Sequence, residues 1–186
     1  MRIVGGRLRG LKLAEVGEGD PSAHLRPTTD RVREAMFNLI ENSAGIPLDG
    51  ARVLDLFAGT GALGLEALSR GAARVAFVDD GAAARALLRA NVEKARAMGV
   101  TDIWRRDATN LGPNRGPGYD VVFLDPPYGQ RLGEAALGSA ITGGWLAPGA
   151  LIAWEEDTAP VPPPGVTQID QRRYGGTLVT LLRAAG

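Results

Sequence analysis

The segment Asp125-Pro-Pro-Tyr128 places a carboxylate, two proline carbonyls and an aromatic ring within four residues. Consecutive prolines make a stiff, extended turn without backbone donors, so their carbonyls stay free as acceptors. The carboxylate of Asp125 and the carbonyl of Pro126 suit the two hydrogens of an exocyclic amino group, and Tyr128 offers a face for stacking a planar base. The plainer alternative is a rigid loop in which Tyr128 only packs. A second segment, Asp55-Leu-Phe-Ala-Gly-Thr-Gly-Ala-Leu-Gly64, contains G-x-G-x-x-G in Gly59, Gly61 and Gly64. Between a strand and a helix, such glycines let the backbone approach a nucleotide closely. Asp79, twenty positions after Gly59, stands where an acid commonly accepts hydrogen bonds from a ribose, with Asp80 as the less favoured substitute. A dinucleotide and S-adenosylmethionine both carry that ribose. Asp55 discriminates better: a carboxylate beside the loop repels a pyrophosphate but attracts an ammonium and a sulfonium. Its plain alternative is satisfaction of loop amides.

These groups need a scaffold that brings two loops together. The chain alternates apolar strand-like runs with helical stretches: a strand at 52–57, a helix at 61–69, a strand at 74–78 and a helix at 82–98. A weaker strand near 102–105, a strand at 119–124 and a helix around 133–141 follow. That order predicts a parallel sheet with helices on both faces. The runs 150–154 and 176–182, separated by the proline-rich loop 160–164, have no helix between them and should pair antiparallel. In an open sheet of this kind ligands bind beyond the carboxyl ends of strands, where strand order reverses, which brings the loops after Asp55 and Leu124 side by side. At the amino terminus, 2–13 suggest two short strands around Gly5-Gly6, and 14–23 read as a loop. Thr28-Thr29-Asp30 supply cap residues for a helix whose face carries Val32, Ala35, Met36, Leu39 and Ile40.

Length and composition set the limits. The 186 residues suffice for one domain with a full core. Cysteine is absent and His24 is the single histidine, so thiolate metal sites, disulfides and a histidine cluster are excluded, and no metal is expected. No run approaches the ~18 apolar residues of a membrane span, so a soluble, cytoplasmic protein is expected. Formal net charge is zero, so binding to a polyanion must rest on a local patch. Residues 2–13 supply one: Arg2, Arg7, Arg9 and Lys12 with no acid, followed by Arg26, Arg31 and Arg33 near the next helix, and by Arg131 after the proline turn. A solvated surface is the alternative for these cations.

With both motifs in place, the chain resembles class I S-adenosylmethionine-dependent methyltransferases acting on exocyclic amines. More closely it resembles the RsmD family, bacterial enzymes that methylate N2 of a guanine in 16S ribosomal RNA. The likeness extends to Arg2-Ile-Val-Gly-Gly-Arg-Leu-Arg-Gly-Leu-Lys-Leu13, Leu25-Arg-Pro-Thr-Thr-Asp-Arg-Val-Arg-Glu34 and Gly59-Thr-Gly-Ala-Leu-Gly-Leu-Glu-Ala-Leu-Ser-Arg70. It covers essentially the whole chain and is weakest after Thr158. It implies an α/β, Rossmann-like fold: a seven-stranded, mostly parallel sheet with an antiparallel carboxyl-terminal hairpin, plus a small amino-terminal β-hairpin and helix. One methyltransferase domain, 1–186, would comprise an RNA-contacting extension, 1–24, and a catalytic core, 25–186.

Carried onto matching positions, the resemblance implies that Asp55, Gly59 and Gly61, with Phe57 and Thr60 of the same loop, surround the methionine moiety. Asp79 would take the ribose hydroxyls, Asp107-Ala108 would border the adenine, and Asp125, Pro126, Pro127 and Tyr128 would form the catalytic loop, with Asp125 also beside the cofactor. Thr28-Thr29 are expected as a helix cap, with Arg26 to Thr28 able to border the cofactor as in the family. Two departures stand out. The family commonly carries Glu where Asp79 stands, and Gly81-Ala82-Ala83 occupies the place of an arginine often found shortly after it. The expected reaction is transfer of a methyl group from S-adenosylmethionine to the exocyclic N2 of a guanine, leaving S-adenosylhomocysteine. The expected partner is 16S ribosomal RNA within a partly assembled small subunit, met by a monomer. Three rivals are an adenine-N6 methyltransferase on RNA or DNA, an NAD-dependent oxidoreductase and a catalytically idle RNA-binding factor.

Overall fold

The computed structural model describes residues 1–15, 28–43, 45 and 47–186. Arg26, His24 and most of the expected 14–24 loop lie outside the described residues, as does the 24/25 boundary between extension and core. Helix α1 spans Asp30–Ser43. Strand β1 (Arg52–Leu56) leads to helix α2 (Ala62–Ser69), β2 (Arg74–Val78) and α3 (Ala82–Lys94). A 3-10 turn at Met98–Val100 enters β3 (Thr101–Trp104), followed by β4 (Tyr119–Leu124), α4 (Leu132–Thr142), β5 (Leu146–Glu156), β6 (Val166–Tyr174) and β7 (Thr177–Ala184). The sheet order is β3-β2-β1-β4-β5-β7-β6. Strands β1 to β5 pair in parallel, and β7 runs antiparallel to both β5 and β6.

Strands β1, β2 and β4 and the second half of β5 are buried on both faces, as a helix-covered parallel sheet requires. Alternate residues divide between two apolar layers. Val53, Val121, Phe123, Leu151 and Ala153 face the layer that holds Met36, Phe37, Leu65 and Leu88. Leu54, Leu56, Val122, Leu124, Ile152 and Trp154 face the layer that holds Leu137 and Trp145. Each fully buried side chain of this size contributes about 1.5–3 kcal/mol. Parity then fixes chemistry: Asp55, Asp125 and Glu155 continue the first series, so all three carboxylates point to the α1 side of the sheet at its carboxyl edge.

Three regions depart from the sequence reading. The run at 150–154 does pair antiparallel with that at 176–182, but β6, which the apolar pattern does not announce, forms the edge beyond β7 and closes the hairpin. It is largely exposed and polar, VTQIDQRRY, so neither face carries the alternation that marks a half-buried strand. The amino-terminal hairpin exists in its smallest form, a single antiparallel bridge between Arg2 and Lys12. Its glycines serve close approach: a Cβ on Gly6 would lie 1.9 Å from the Ser69 carbonyl oxygen. Backbone bonds from Arg7 N to Ser69 O (2.9 Å) and from Leu8 N to Ser69 Oγ (2.9 Å) lay the segment against the end of α2. Helix α3 also ends four residues earlier than the sequence suggests, at Lys94. No described helix is long and apolar enough to cross a membrane.

Candidate active site

A cavity of about 610 Å³ opens at the carboxyl edge of the sheet, where β1 and β4 lie side by side and strand order reverses. Its wall brings together Asp55, Phe57, Gly59, Thr60, Asp79, Asp80 and the whole Asp125-Pro-Pro-Tyr128 turn. The volume suits a nucleoside-sized ligand. Thr28 and Met1 also line it. Gly61, Asp107 and Ala108 are not among the lining residues; Gly61 N donates to Ala58 O (2.8 Å), Asp107 Oδ1 accepts from Thr109 N (2.9 Å) and Oγ1 (2.7 Å), and Ala108 packs in the second apolar layer.

The loop after β1 is shaped by sterics and by carboxylates. A Cβ on Gly64 would lie 2.4 Å from Phe77 Cε1, so only glycine lets α2 pack this closely on β2. Phe57 adopts φ 58, rare for a residue with a Cβ, as the chain leaves β1 toward the cavity. Asp55 Oδ2 accepts the Gly64 N–H at 3.0 Å. Asp79 Oδ2 accepts the Gly59 N–H at 2.9 Å, and its Oδ1 accepts the Gly81 N–H at 2.9 Å. The Gly59, Gly64 and Gly81 amides are therefore already taken by carboxylates. Among the described residues, four acids, Asp55, Asp79, Asp80 and Asp125, line the cavity without any Lys or Arg. Such a site suits a cation and repels a dinucleotide. Burial pushes the Asp55 carboxyl well above the usual range; the Gly64 N–H opposes this and the Asp79 charge adds to it. A bound ammonium would restore its charge.

The turn after β4 is held from three sides. Leu124 pairs with Trp154 in the β4–β5 ladder, so Asp125 and Glu155 stand at the next rung. Thr28 Oγ1 donates to Glu155 Oε2 at 2.6 Å and lies 3.3 Å from Asp125 Oδ2. Burial raises the Asp125 carboxyl well above its ordinary value, reinforced by the charges of Glu155, Asp55 and Glu156 and opposed by the Thr28 contact. Tyr128 Oη lies 3.5 Å from Thr177 Oγ1 at the start of β7. Glu156, 5% exposed, stands near the Gly129 N–H just past the turn, and its Oε1 is buried without a hydrogen-bond partner.

The expected cap pair divides its work. Thr29 Oγ1 accepts the Val32 N–H (3.2 Å) as the cap of α1, while Thr28 faces the carboxylates. Among the expected cations, Arg2, Arg7, Arg9, Lys12, Arg31 and Arg131 are exposed. Arg33 is not a surface residue: it is fully buried and ion-paired with Glu66 (3.1 Å) and Asp30 (3.0 Å). Its place on the inner face of α1 is the reason. Thr28, expected to be able to border the cofactor, does line the cavity, whereas Met1, Glu155 and Asn91 escaped the sequence reading. Asn91 Nδ2 donates to Thr60 O (2.9 Å) and Ala14 O (3.1 Å), tying the amino-terminal segment to the glycine loop. Glu155 did leave a signal, since it ends an apolar strand as Asp125 does. Among the described residues, no group of three or more His, Cys, Asp or Glu could hold a metal ion.

The family model for conserved hypothetical protein 95 matches residues 1–183. Ribosomal RNA small subunit methyltransferase D of Escherichia coli (strain K12) is 40% identical over 157 residues, which cover 84% of this chain and 75% of that protein. The Haemophilus influenzae protein of the same name is 34% identical over 181 residues, covering 94% and 89%. The solved structure of Escherichia coli yhhF superposes with a TM-score of 0.83 at 32% identity, over 100% of this chain and 98% of that one.

Proposed function

The chain belongs to the RsmD family, the family of conserved hypothetical protein 95, and from that premise we propose that it methylates the exocyclic N2 of a guanine in 16S ribosomal RNA. The carrying observation is one cavity in which the acids Asp55, Asp79 and Asp80 meet the Asp125-Pro-Pro-Tyr128 turn. S-adenosylmethionine would supply the electrophilic methyl group. Asp55 and the loop at Gly59 to Gly61 would hold its cationic methionine end. The second lone pairs of the Asp79 oxygens would take the ribose hydroxyls, and Asp107-Ala108 would lie toward the adenine.

Methyl transfer from a sulfonium neutralises charge, so the site must chiefly align nucleophile, carbon and sulfur. Guanine N2 is a weak nucleophile because its lone pair is conjugated with the ring. Hydrogen bonds to the Asp125 carboxylate and the Pro126 carbonyl would turn that lone pair toward the methyl group, while Tyr128 stacks on the base and Pro127 stiffens the turn. A paired base cannot reach such a cavity, so the target is unpaired or flipped out. Exposed Arg2, Arg7, Arg9, Lys12 and Arg31, with Arg26, would meet RNA phosphate. The substrate is a partly assembled small subunit, and the enzyme acts as a cytoplasmic monomer.

Mapping methylated bases in 16S RNA from cells with and without the gene tests this reading: one N2-methylguanine should vanish on deletion. Loss of an N6-methyladenine instead would replace guanine by adenine. Calorimetry should show S-adenosylhomocysteine binding and no NAD binding; binding of NAD alone would overturn the proposal.

A further inference from the structure

Resting on the methyltransferase reading, we propose that Thr28 and Glu155 are positioning residues that form a proton-sharing unit with Asp125, one hydroxyl between two carboxyl groups. Thr28 Oγ1 lies 2.6 Å from Glu155 Oε2 and 3.3 Å from Asp125 Oδ2. A hydroxyl carries one hydrogen and can donate to only one of them. For both contacts to be hydrogen bonds, one carboxyl must itself be protonated and donate to Oγ1. The arrangement therefore holds one proton for two carboxyls, as closely set acids do. Moving each hydrogen one place along the row exchanges the neutral and the ionised group. The O–H bond at Asp125 breaks as one forms at Thr28, and Thr28 passes its former hydrogen to Glu155.

The surroundings bias the two ends oppositely. Glu155 is buried, and the charge of Arg33 from α1 opposes the rise that burial gives its carboxyl. Asp125 instead faces Asp55, Glu156 and Glu155. In the free protein the proton is thus favoured on Asp125. A cation in the cavity reverses the preference, and Thr28 lets the proton cross to Glu155, leaving Asp125 ionised to accept the amine hydrogens. On transfer, the N–CH3 bond forms and the C–S bond breaks with its electron pair going to sulfur. The methylated nitrogen then loses its extra proton to Asp125. The unit now holds two protons, and one returns to solvent through the cavity after product release.

The test uses the full chain in two formats. Carbon-13 NMR of labelled Asp and Glu carboxyls follows the titrations without cofactor or activity. Single-turnover transfer to small ribosomal subunits gives the rate–pH profile. Thr28→Val removes the oxygen to which the neutral Asp125 carboxyl donates, so it should move the Asp125 midpoint to lower pH and slow transfer about tenfold or more. Glu155→Gln should move both the carboxyl and the rate midpoint to lower pH, and Thr28→Ser should restore the wild-type values. Unmoved midpoints in Thr28→Val and Glu155→Gln, or a serine that does not rescue, would overturn the unit. Shifted carboxyl titrations in a protein that transfers no methyl group would instead uphold it and sink the methyltransferase reading.

Discussion

Asp55 illustrates how one side chain serves structure and ligand together. Its Oδ2 caps the Gly64 amide while the cavity meets the rest of the carboxyl. Asp55→Asn keeps an acceptor for that amide and removes the charge. Affinity for S-adenosylmethionine by calorimetry should fall at least tenfold, in line with the ~1.5–3 kcal/mol of a hydrogen bond to a charged group, with little loss of thermal stability. Asp125→Ala should lower single-turnover transfer by about a hundredfold or more and leave RNA affinity unchanged in a filter-binding assay; retained turnover would remove this carboxylate from the mechanism. Glu156 makes a prediction about pH. Burial, with the charge of Asp157, lifts its carboxyl from 4.5 to about 7, against the opposing Gly129 N–H. The folded protein keeps the proton to about pH 7, whereas the unfolded chain releases it near 4.5. Its contribution to stability therefore declines as pH rises between those values and is constant above them. Glu156→Gln should raise the melting temperature at pH 8 and leave it nearly unchanged at pH 4, as differential scanning calorimetry can check.

Among the elements, the order of strands and helices, the reversal point and the two site loops were legible because each rests on a local signal: apolar runs, glycines and a proline turn. What was not legible depends on partners far along the chain. Strand β6 owes its existence to pairing with β7, not to its own polar sequence. Arg33 sits on α1 like any exposed arginine until Glu66 of α2 is brought beneath it. Glu66, itself fully buried, accepts Arg33 Nε (3.1 Å), Arg70 Nε (3.0 Å), Val4 N (2.9 Å) and Gly5 N (2.9 Å). One carboxylate thus fastens α1, α2 and the amino-terminal segment together. Removing it strands a buried arginine, so Glu66→Ala should cost about 3–5 kcal/mol in urea denaturation. Glu41→Ala, which breaks only the exposed end of the same network at Arg70 (3.0 Å), should cost less than about 1 kcal/mol.

For the molecule as a whole, zero formal charge conceals a separation that matters to the proposed action on RNA. The cavity is acidic and by itself repels a polyanion, while the cations gather on the segment that borders it. Met1 lines the cavity, the Arg2–Lys12 bridge follows, and the turn carrying Arg7 and Arg9 lies against Ser69 at the far end of α2. Eight helical residues separate the two ends, so the basic track is about 12 Å long. Phosphates lying along this track would hold the RNA while one base enters the acidic cavity as a neutral ring. In Arg7→Ala/Arg9→Ala, the plot of log binding constant against log salt for single-stranded RNA should flatten by about 0.7 per lost phosphate contact. Neither residue lines the cavity, so S-adenosylhomocysteine affinity should be unchanged in the same protein. An unaltered salt slope would assign these arginines to solvent and place the RNA on another face.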